Sequence, residues 1–152
     1  MSLRYRVRTV LAYPPRRWAD LVEAVAVAIR VESALRRGGV ARAARVGHVH
    51  VLMDGIAAPT APLAEVNLTP REREKLDTAW RLLRQPPFNG TCLRRAIVGG
   101  HFLRDRTPIL RIGVSKENGV VAAHAWVEID GVSLDPDGSE RFSVLTAPTK
   151  GS

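Results

Sequence analysis

Three residues of this chain have the types and order needed for covalent chemistry on carbonyl groups. Cys92 is the only cysteine among the 152 residues, and it follows Thr91 in a segment that predicts the start of a helix. His124 lies in the alternating run 121–128, which predicts a strand, and Asp135 follows a predicted turn. A cysteine, a histidine and an aspartate in this order are the parts of a thiol nucleophile, its base and its orienter. If they meet in space, the chain is an enzyme.

A helix start suits a nucleophilic cysteine because the unpaired amides and the helix dipole favour the thiolate. Arg94 and Arg95 follow Cys92 and are expected to add positive charge beside it. The same free amides, including that of Cys92, could hold the oxyanion of a tetrahedral intermediate. The competing interpretation is that a lone cysteine is a small, buried apolar residue.

The base and its orienter are assigned from the strand that contains His124. Its imidazole would take the thiol proton and later protonate the leaving amine. A carboxylate on the neighbouring strand, about 4.8 Å away, could hold the ring in one tautomer. Asp135 is preferred for this role, and Asp137 is the alternative. The competing interpretation of His124 is a structural histidine.

The remaining histidines indicate no cofactor or metal. His48 and His50 alternate along a predicted strand, but no cysteine or carboxylate stands at a spacing typical of a metal site. His101 falls near the end of the predicted cysteine helix, where a cation suits the dipole. The chain contains no phosphate-binding loop and no GxGxxG motif, so we expect no bound cofactor.

The elements that must position these residues begin with a helical N-terminal part. Apolar residues recur at helical spacing over 18–37, and Gly38-Gly39 predicts the end of that helix. A second short helix is predicted over 40–46, a strand over 48–53 and a loop over 57–62.

From residue 68 onward the pattern changes to helices followed by a meander. Thr69-Pro70-Arg71-Glu72 predicts a capped helix start, and that helix should run to about residue 84. The cysteine helix should run to about residue 104. Strands are predicted over 109–114, 120–129 and 132–134, joined by Asn118-Gly119 and Asp130-Gly131 turns. The predicted fold class is α+β, with the cysteine helix packed on an antiparallel meander.

Composition is that of a globular protein with a basic surface. Hydrophobic residues make up 45%, and Lys+Arg minus Asp+Glu is 23 − 15 = +8. Such a charge suits nucleic acid, an anionic membrane surface or an acidic peptide, but scattered arginines also arise from GC-rich codon usage. Aromatic residues are only 5%, so no nucleic-acid partner is predicted. No apolar run reaches membrane-span length, no signal peptide is evident, and the lone cysteine fits a reducing compartment. We therefore expect a cytoplasmic protein with no membrane partner.

The arrangement resembles the transglutaminase-like branch of papain-type folds. The motif consists of Cys92, the run Ala-His-Ala-Trp-Val-Glu at 123–128, Gly131 and Asp135. The cysteine and the histidine are separated by only 124 − 92 = 32 residues. This compactness resembles the leader peptidases of lasso-peptide biosynthesis, the B proteins related to the microcin J25 processing enzyme. The resemblance covers about residues 68–137 well and the first 60 only loosely.

The resemblance implies a peptidase that removes the leader from a ribosomally synthesised precursor. It implies that Cys92 is the nucleophile, His124 the base and Asp135 the orienter, with Gln85 a candidate second oxyanion donor. It also implies a separate leader-recognition protein as partner, because residues 1–67 look helical and leave no room for a fused one. A macrolactam synthetase would act next. Under this interpretation residues 1–67 form a helical, partner-docking region and 68–152 the peptidase core, within one compact domain.

Two other functions fit the same residues. A transglutaminase-like acyltransferase would pass the acyl group from the thiol to an amine instead of water. A non-catalytic basic module would bind an acidic peptide and would leave Cys92 without a chemical role.

Overall fold

Helices pack on one side of a mostly antiparallel sheet. The computed structural model describes residues 14–59, 66–135 and 138–147. Within these ranges the helices are α1 (Pro15–Val46), α2 (Pro70–Leu83), α3 (Cys92–Phe102) and a short 3-10 turn (Arg104–Arg106). The strands are β1 (His50–Val51), β2 (Ile109–Glu117), β3 (Val120–Ile129), β4 (Val132–Ser133) and β5 (Ser143–Val144). The predicted α+β class is confirmed.

The β2–β3 hairpin forms the centre of the sheet. Its register runs from the Ile109–Glu128 pair to the Glu117–Val120 pair at the turn. Asn118 and Gly119 have φ values of 51° and 83°, as the predicted two-residue hairpin turn requires. β1 pairs with β2 in parallel, whereas β4 and β5 add antiparallel pairs to β3 and β2.

α1 covers the part of the chain for which two helices were predicted. The helix continues past residue 37, but Gly38 and Gly39 have non-helical backbone angles and produce a kink in it. Gly39 has a φ of 66°, a value that glycine tolerates and other residues rarely adopt. The glycine pair therefore bends the path at the predicted break.

α2 begins as the sequence predicts. The Thr69 side chain accepts from the Glu72 amide, and the Glu72 side chain accepts from the Thr69 amide, which completes the capping box. α3 begins at Cys92, with Thr91 as the N-cap, and ends two residues before the predicted end. The strand predicted over 48–53 is reduced to His50–Val51.

The core lies between the helices and the sheet. Fully buried side chains from all three helices and from β2 and β3 form one cluster, among them Val31, Leu76, Ile97, Leu110 and Ile129. A smaller cluster contains Trp126, Phe142 and Val144. Because α1 contributes to the main cluster, it packs with the helices that follow it. The boundary at residue 67 between a partner-docking region and a peptidase core stays a prediction.

None of the described helices combines the length and the apolar character that a membrane span requires. Part of the predicted loop over 57–62, and Asp137, lie outside the described residues.

Candidate active site

The cysteine lies at the N-terminal end of a helix. Cys92 is the first residue of α3, its thiol is free, and the residue is partly buried. The Thr91 side chain makes no capping bond to the helix amides. The first amides of a helix have no intrahelical acceptor, so donors remain at the end of α3 where Cys92 lies.

Of the two arginines after Cys92, Arg94 is paired with a residue of α1. Arg94 donates from Nε to Glu32 Oε2 on α1 at 2.6 Å and from Nη1 to Thr91 Oγ1 at 3.2 Å. The hydrogen bond from Arg94, together with one from Arg36, lowers the pKa of Glu32 from 4.5 to about 2. The carboxylate of Glu32 on α1 therefore compensates the charge of Arg94.

Arg95 stays on the side of the thiol. It lines the same cavity as Cys92, and its guanidinium carbon lies 5.9 Å from the centre of the Trp80 ring. Trp80 in turn donates from Nε1 to the Arg95 carbonyl at 3.2 Å. These contacts fix the first turn of α3 against α2.

The histidine and the aspartate are in direct contact. His124 Nε2 lies 2.8 Å from Asp135 Oδ2. Both side chains are largely buried, with 10% and 3% of their surface exposed. An ionised carboxylate can only accept, so this bond places the proton on Nε2 and leaves Nδ1 as the basic nitrogen.

All three residues border one small cavity. Cys92, His124 and Asp135 line a space of about 20 Å³, enough for about one water molecule. Its walls are mainly apolar: Trp80, Ala96, Ala125, Trp126, Val127 and Leu134. The structure thus brings the nucleophile candidate and the histidine–carboxylate pair together, on α3, on β3 and just beyond β4.

Two aromatic rings hold the imidazole; the sequence motif contains Trp126 without a role for it, and no sequence pattern indicated Phe142. The His124 ring stacks on Phe142 at 4.7 Å between centroids and on Trp126 at 5.9 Å. Gly113 pairs with His124 across the hairpin. A Cβ at Gly113 would lie 2.9 Å from Phe142 Cβ and 3.0 Å from Trp126 Cη2, so the glycine makes room for both rings.

A buried ionic network anchors Trp126. Its Nε1 donates to Glu128 Oε1 at 3.0 Å, and Arg111 Nε donates to Glu128 Oε2 at 2.9 Å. Although burial lowers the pKa of Arg111, its bonds to Glu128 and Asp54 raise it overall. The alternation of His124, Trp126 and Glu128 along one face of β3 is the sequence signal that could have indicated this network.

The other candidate residues do not line this cavity. Gln85 is exposed, and its side chain makes no hydrogen bond within residues 14–59, 66–135 and 138–147. The described ranges contain no group of three metal-ligating side chains, so His48 and His50 form no such cluster there. His101 is buried against Glu23, and burial lowers its pKa, which corrects the expectation of a cation at the helix end.

A thiol at a helix start that shares a cavity with a histidine–carboxylate pair, next to an antiparallel sheet, is consistent with a papain-like fold. The family model of the transglutaminase-like superfamily matches residues 9–147, and the chain belongs to that superfamily. Such a domain indicates chemistry of the cysteine-protease or acyltransferase type. No curated protein and no solved structure matches the chain.

Proposed function

We propose that this protein is a cysteine peptidase that cleaves the leader from a ribosomally synthesised lasso-peptide precursor. The observation that carries the proposal is the 2.8 Å bond between His124 Nε2 and Asp135 Oδ2, with Cys92 in the same cavity. This is the arrangement that a base with a fixed tautomer needs beside a thiol.

The acylation step uses each of the three residues. His124 Nδ1 takes the Cys92 proton, and Sγ attacks the carbonyl carbon of the scissile amide, forming a C–S bond. The first amides of α3 donate to the oxyanion. His124 then gives its proton to the amide nitrogen, the C–N bond breaks, and the core peptide leaves with a free amino terminus. Asp135 stabilises the imidazolium throughout.

Hydrolysis of the thioester completes the cycle. Water transfers a proton to His124 Nδ1 and adds to the thioester carbonyl. The C–S bond then breaks, the leader leaves with a new carboxyl group, and the proton returns to Sγ. If an amine attacks in place of water, the same site works as an acyltransferase, so the fate of the thioester separates these two functions.

The leader-peptidase assignment is supported by the compact spacing of the site. A single helix, a short 3-10 turn and one hairpin connect Cys92 to His124. The partners proposed with it are the precursor leader and a separate leader-recognition protein, the arrangement in which the peptidase is called B2. A macrolactam synthetase would use the new amino terminus. No metal or cofactor enters the proposed reaction.

The test combines the purified protein with a lasso precursor and its recognition protein and measures peptide masses. We expect release of the leader with wild-type protein and with His50→Ala, an exposed histidine outside the cavity. Release should be lost with Cys92→Ala and with His124→Ala. Leader joined to an added amine would indicate an acyltransferase. Peptide binding without any cleavage would indicate the binding module.

A further inference from the structure

A second and much larger cavity lies on the other side of α3. A groove of about 610 Å³ is bounded by α1, the segment that follows α2, and α3. Its floor is aliphatic and buried, formed by Ala28, Val31, Leu83 and Val98. Ile29 belongs to its wall and remains 58% exposed. Solvent therefore reaches the apolar lining at Ile29 and Pro87, whereas the floor itself is almost fully covered.

The rim of this groove is positively charged. Arg36, Arg37 and Arg94 line it with one carboxylate, that of Glu32, so the formal charge of the lining is 3 − 1 = +2. Glu32 accepts from Arg36 Nε at 2.8 Å and from Arg94 Nε at 2.6 Å. The Arg37 side chain is exposed and has no hydrogen bond or ion pair to any described residue. The positive charge of the rim is therefore only partly compensated.

The groove extends to the N-terminal end of α3, which begins at Cys92. Asn89, which lines it, precedes Cys92 by three residues, and Arg94 follows it by two. Arg94 also donates to the side chain of Thr91, the N-cap of α3. Since a helix rises about 1.5 Å per residue, the lining reaches the first turn of α3. A chain bound in the groove would reach the N-terminal end of α3, the end that carries Cys92.

We propose that this groove binds an acidic, aliphatic segment of the peptide substrate. Carboxylates complement the arginine rim, and aliphatic side chains complement the exposed apolar wall at Ile29. Nucleic acid fits less well, because Phe88 is the one aromatic residue in the lining and a carboxylate lies inside. The inference rests on the proposed function for the role of that peptide as substrate, whereas the binding itself does not require catalysis.

The test measures fluorescence anisotropy with two labelled peptides and the Cys92→Ala protein. One peptide alternates Glu and Leu, and the other alternates Gln and Leu. Arg37→Glu in the groove is compared with Arg30→Glu, which is exposed on the same helix outside it and changes the net charge equally. We expect the acidic peptide to bind more tightly. Arg37→Glu should weaken its binding by roughly fivefold and Arg30→Glu by much less.

A second pair of variants tests the apolar part of the groove. Ile29→Ser should weaken binding of the acidic peptide. Val22 is 63% exposed on α1 and lies outside the lining, so Val22→Ser should leave that binding unchanged. Equal effects of the two arginine variants, or an Arg37-dependent preference for single-stranded oligothymidine, would overturn the proposal. Selective binding in the groove without cleavage of the precursor would contradict the peptidase assignment alone. Cleavage of the precursor without selective binding in the groove would contradict this inference alone.

Discussion

His124 Nε2 and Asp135 Oδ2 lie 2.8 Å apart, although only a turn and the two-residue strand β4 separate the end of β3 from Asp135. β4 pairs with β3 over two residues only, and the Leu134 amide then donates to the Val127 carbonyl at 2.9 Å. Asp130 in the turn has a φ of 49°. The tight turn, the short β4 pair and this backbone bond together bring Asp135 to His124.

The first prediction concerns the reactivity of the thiol. Asp135→Asn should slow alkylation of Cys92 by iodoacetamide at neutral pH, because an amide stabilises the imidazolium less than a carboxylate does. The loss of peptidase rate should be about 10²- to 10⁴-fold. Since Cys92 is the only cysteine, the labelled mass of the intact protein reports this site alone.

The control for that experiment is Asp105→Asn, an exposed carboxylate in the 3-10 turn. It should alkylate at the wild-type rate. Wild-type alkylation in Asp135→Asn, with the fold retained, would show that the carboxylate does not act on the thiol through His124.

The second prediction concerns the ring that stacks on the imidazole. Phe142→Ala removes the contact at 4.7 Å while leaving the bond to Asp135 intact. We expect the peptidase rate to fall about tenfold and the free energy of unfolding to fall by about 3 kcal/mol. Phe142→Leu keeps most of the volume, so it should recover stability more than rate. Equal recovery of both would mean that Phe142 fills space and does not orient His124.

Local signals in the sequence predicted most of the elements. The Asn118-Gly119 turn could be predicted because a two-residue hairpin needs positive φ at both positions. The capping box at Thr69 could be predicted because its two hydrogen bonds join residues three apart. Such features depend only on residues that are close together in the sequence, so the sequence is enough to predict them.

Contacts between distant residues could not be predicted in the same way. Arg94 was expected to act on Cys92, but its partner is Glu32, 62 residues earlier on α1. Phe142 precedes the two-residue strand β5, which has no periodicity to recognise. Its place on His124 follows from the pairing of β5 with β2, a long-range contact that no local pattern encodes.

The third prediction concerns the ion pair between α1 and the cysteine helix. Hydrogen bonds from Arg94 and Arg36 lower the pKa of Glu32 from 4.5 to about 2. A lowered carboxylate pKa contributes stability above 4.5 that is lost as pH falls towards 2. Glu32→Gln should therefore be less stable than wild type at neutral pH, by about 1 kcal/mol for a partly exposed pair. Urea unfolding should show this difference shrinking as the pH is lowered through that window.

Asp77→Asn is the matched control for that ion pair. Asp77 pairs with Arg81 on one face of α2, and both side chains are more than half exposed. Such a pair contributes about 0.5 kcal/mol or less. A difference between Glu32→Gln and wild type that stays constant from neutral to acid pH would contradict the role assigned to the carboxylate charge.

The fourth prediction concerns stability in mild acid. Burial lowers the pKa of His101 from 6.5, and its bond to Glu23 Oε1 at 3.3 Å only partly opposes this. Nδ1 of this ring is buried without a hydrogen-bond partner among the described residues. The unfolded chain therefore takes up the proton first, at about pH 6.5. Stability is complete above that pH and declines as pH falls towards the lower pKa of the folded state.

His101→Gln should remove this decline, because glutamine does not titrate and can still donate to Glu23. The measurement is the urea midpoint of wild type and variant from pH 7.5 down to about 5.5, where the wild type should lose up to about 1.4 kcal/mol per pH unit within the titration window. His50→Gln changes an exposed histidine on β1 and should keep the wild-type slope. If His101→Gln keeps that slope as well, the burial of His101 is not the origin of the acid sensitivity.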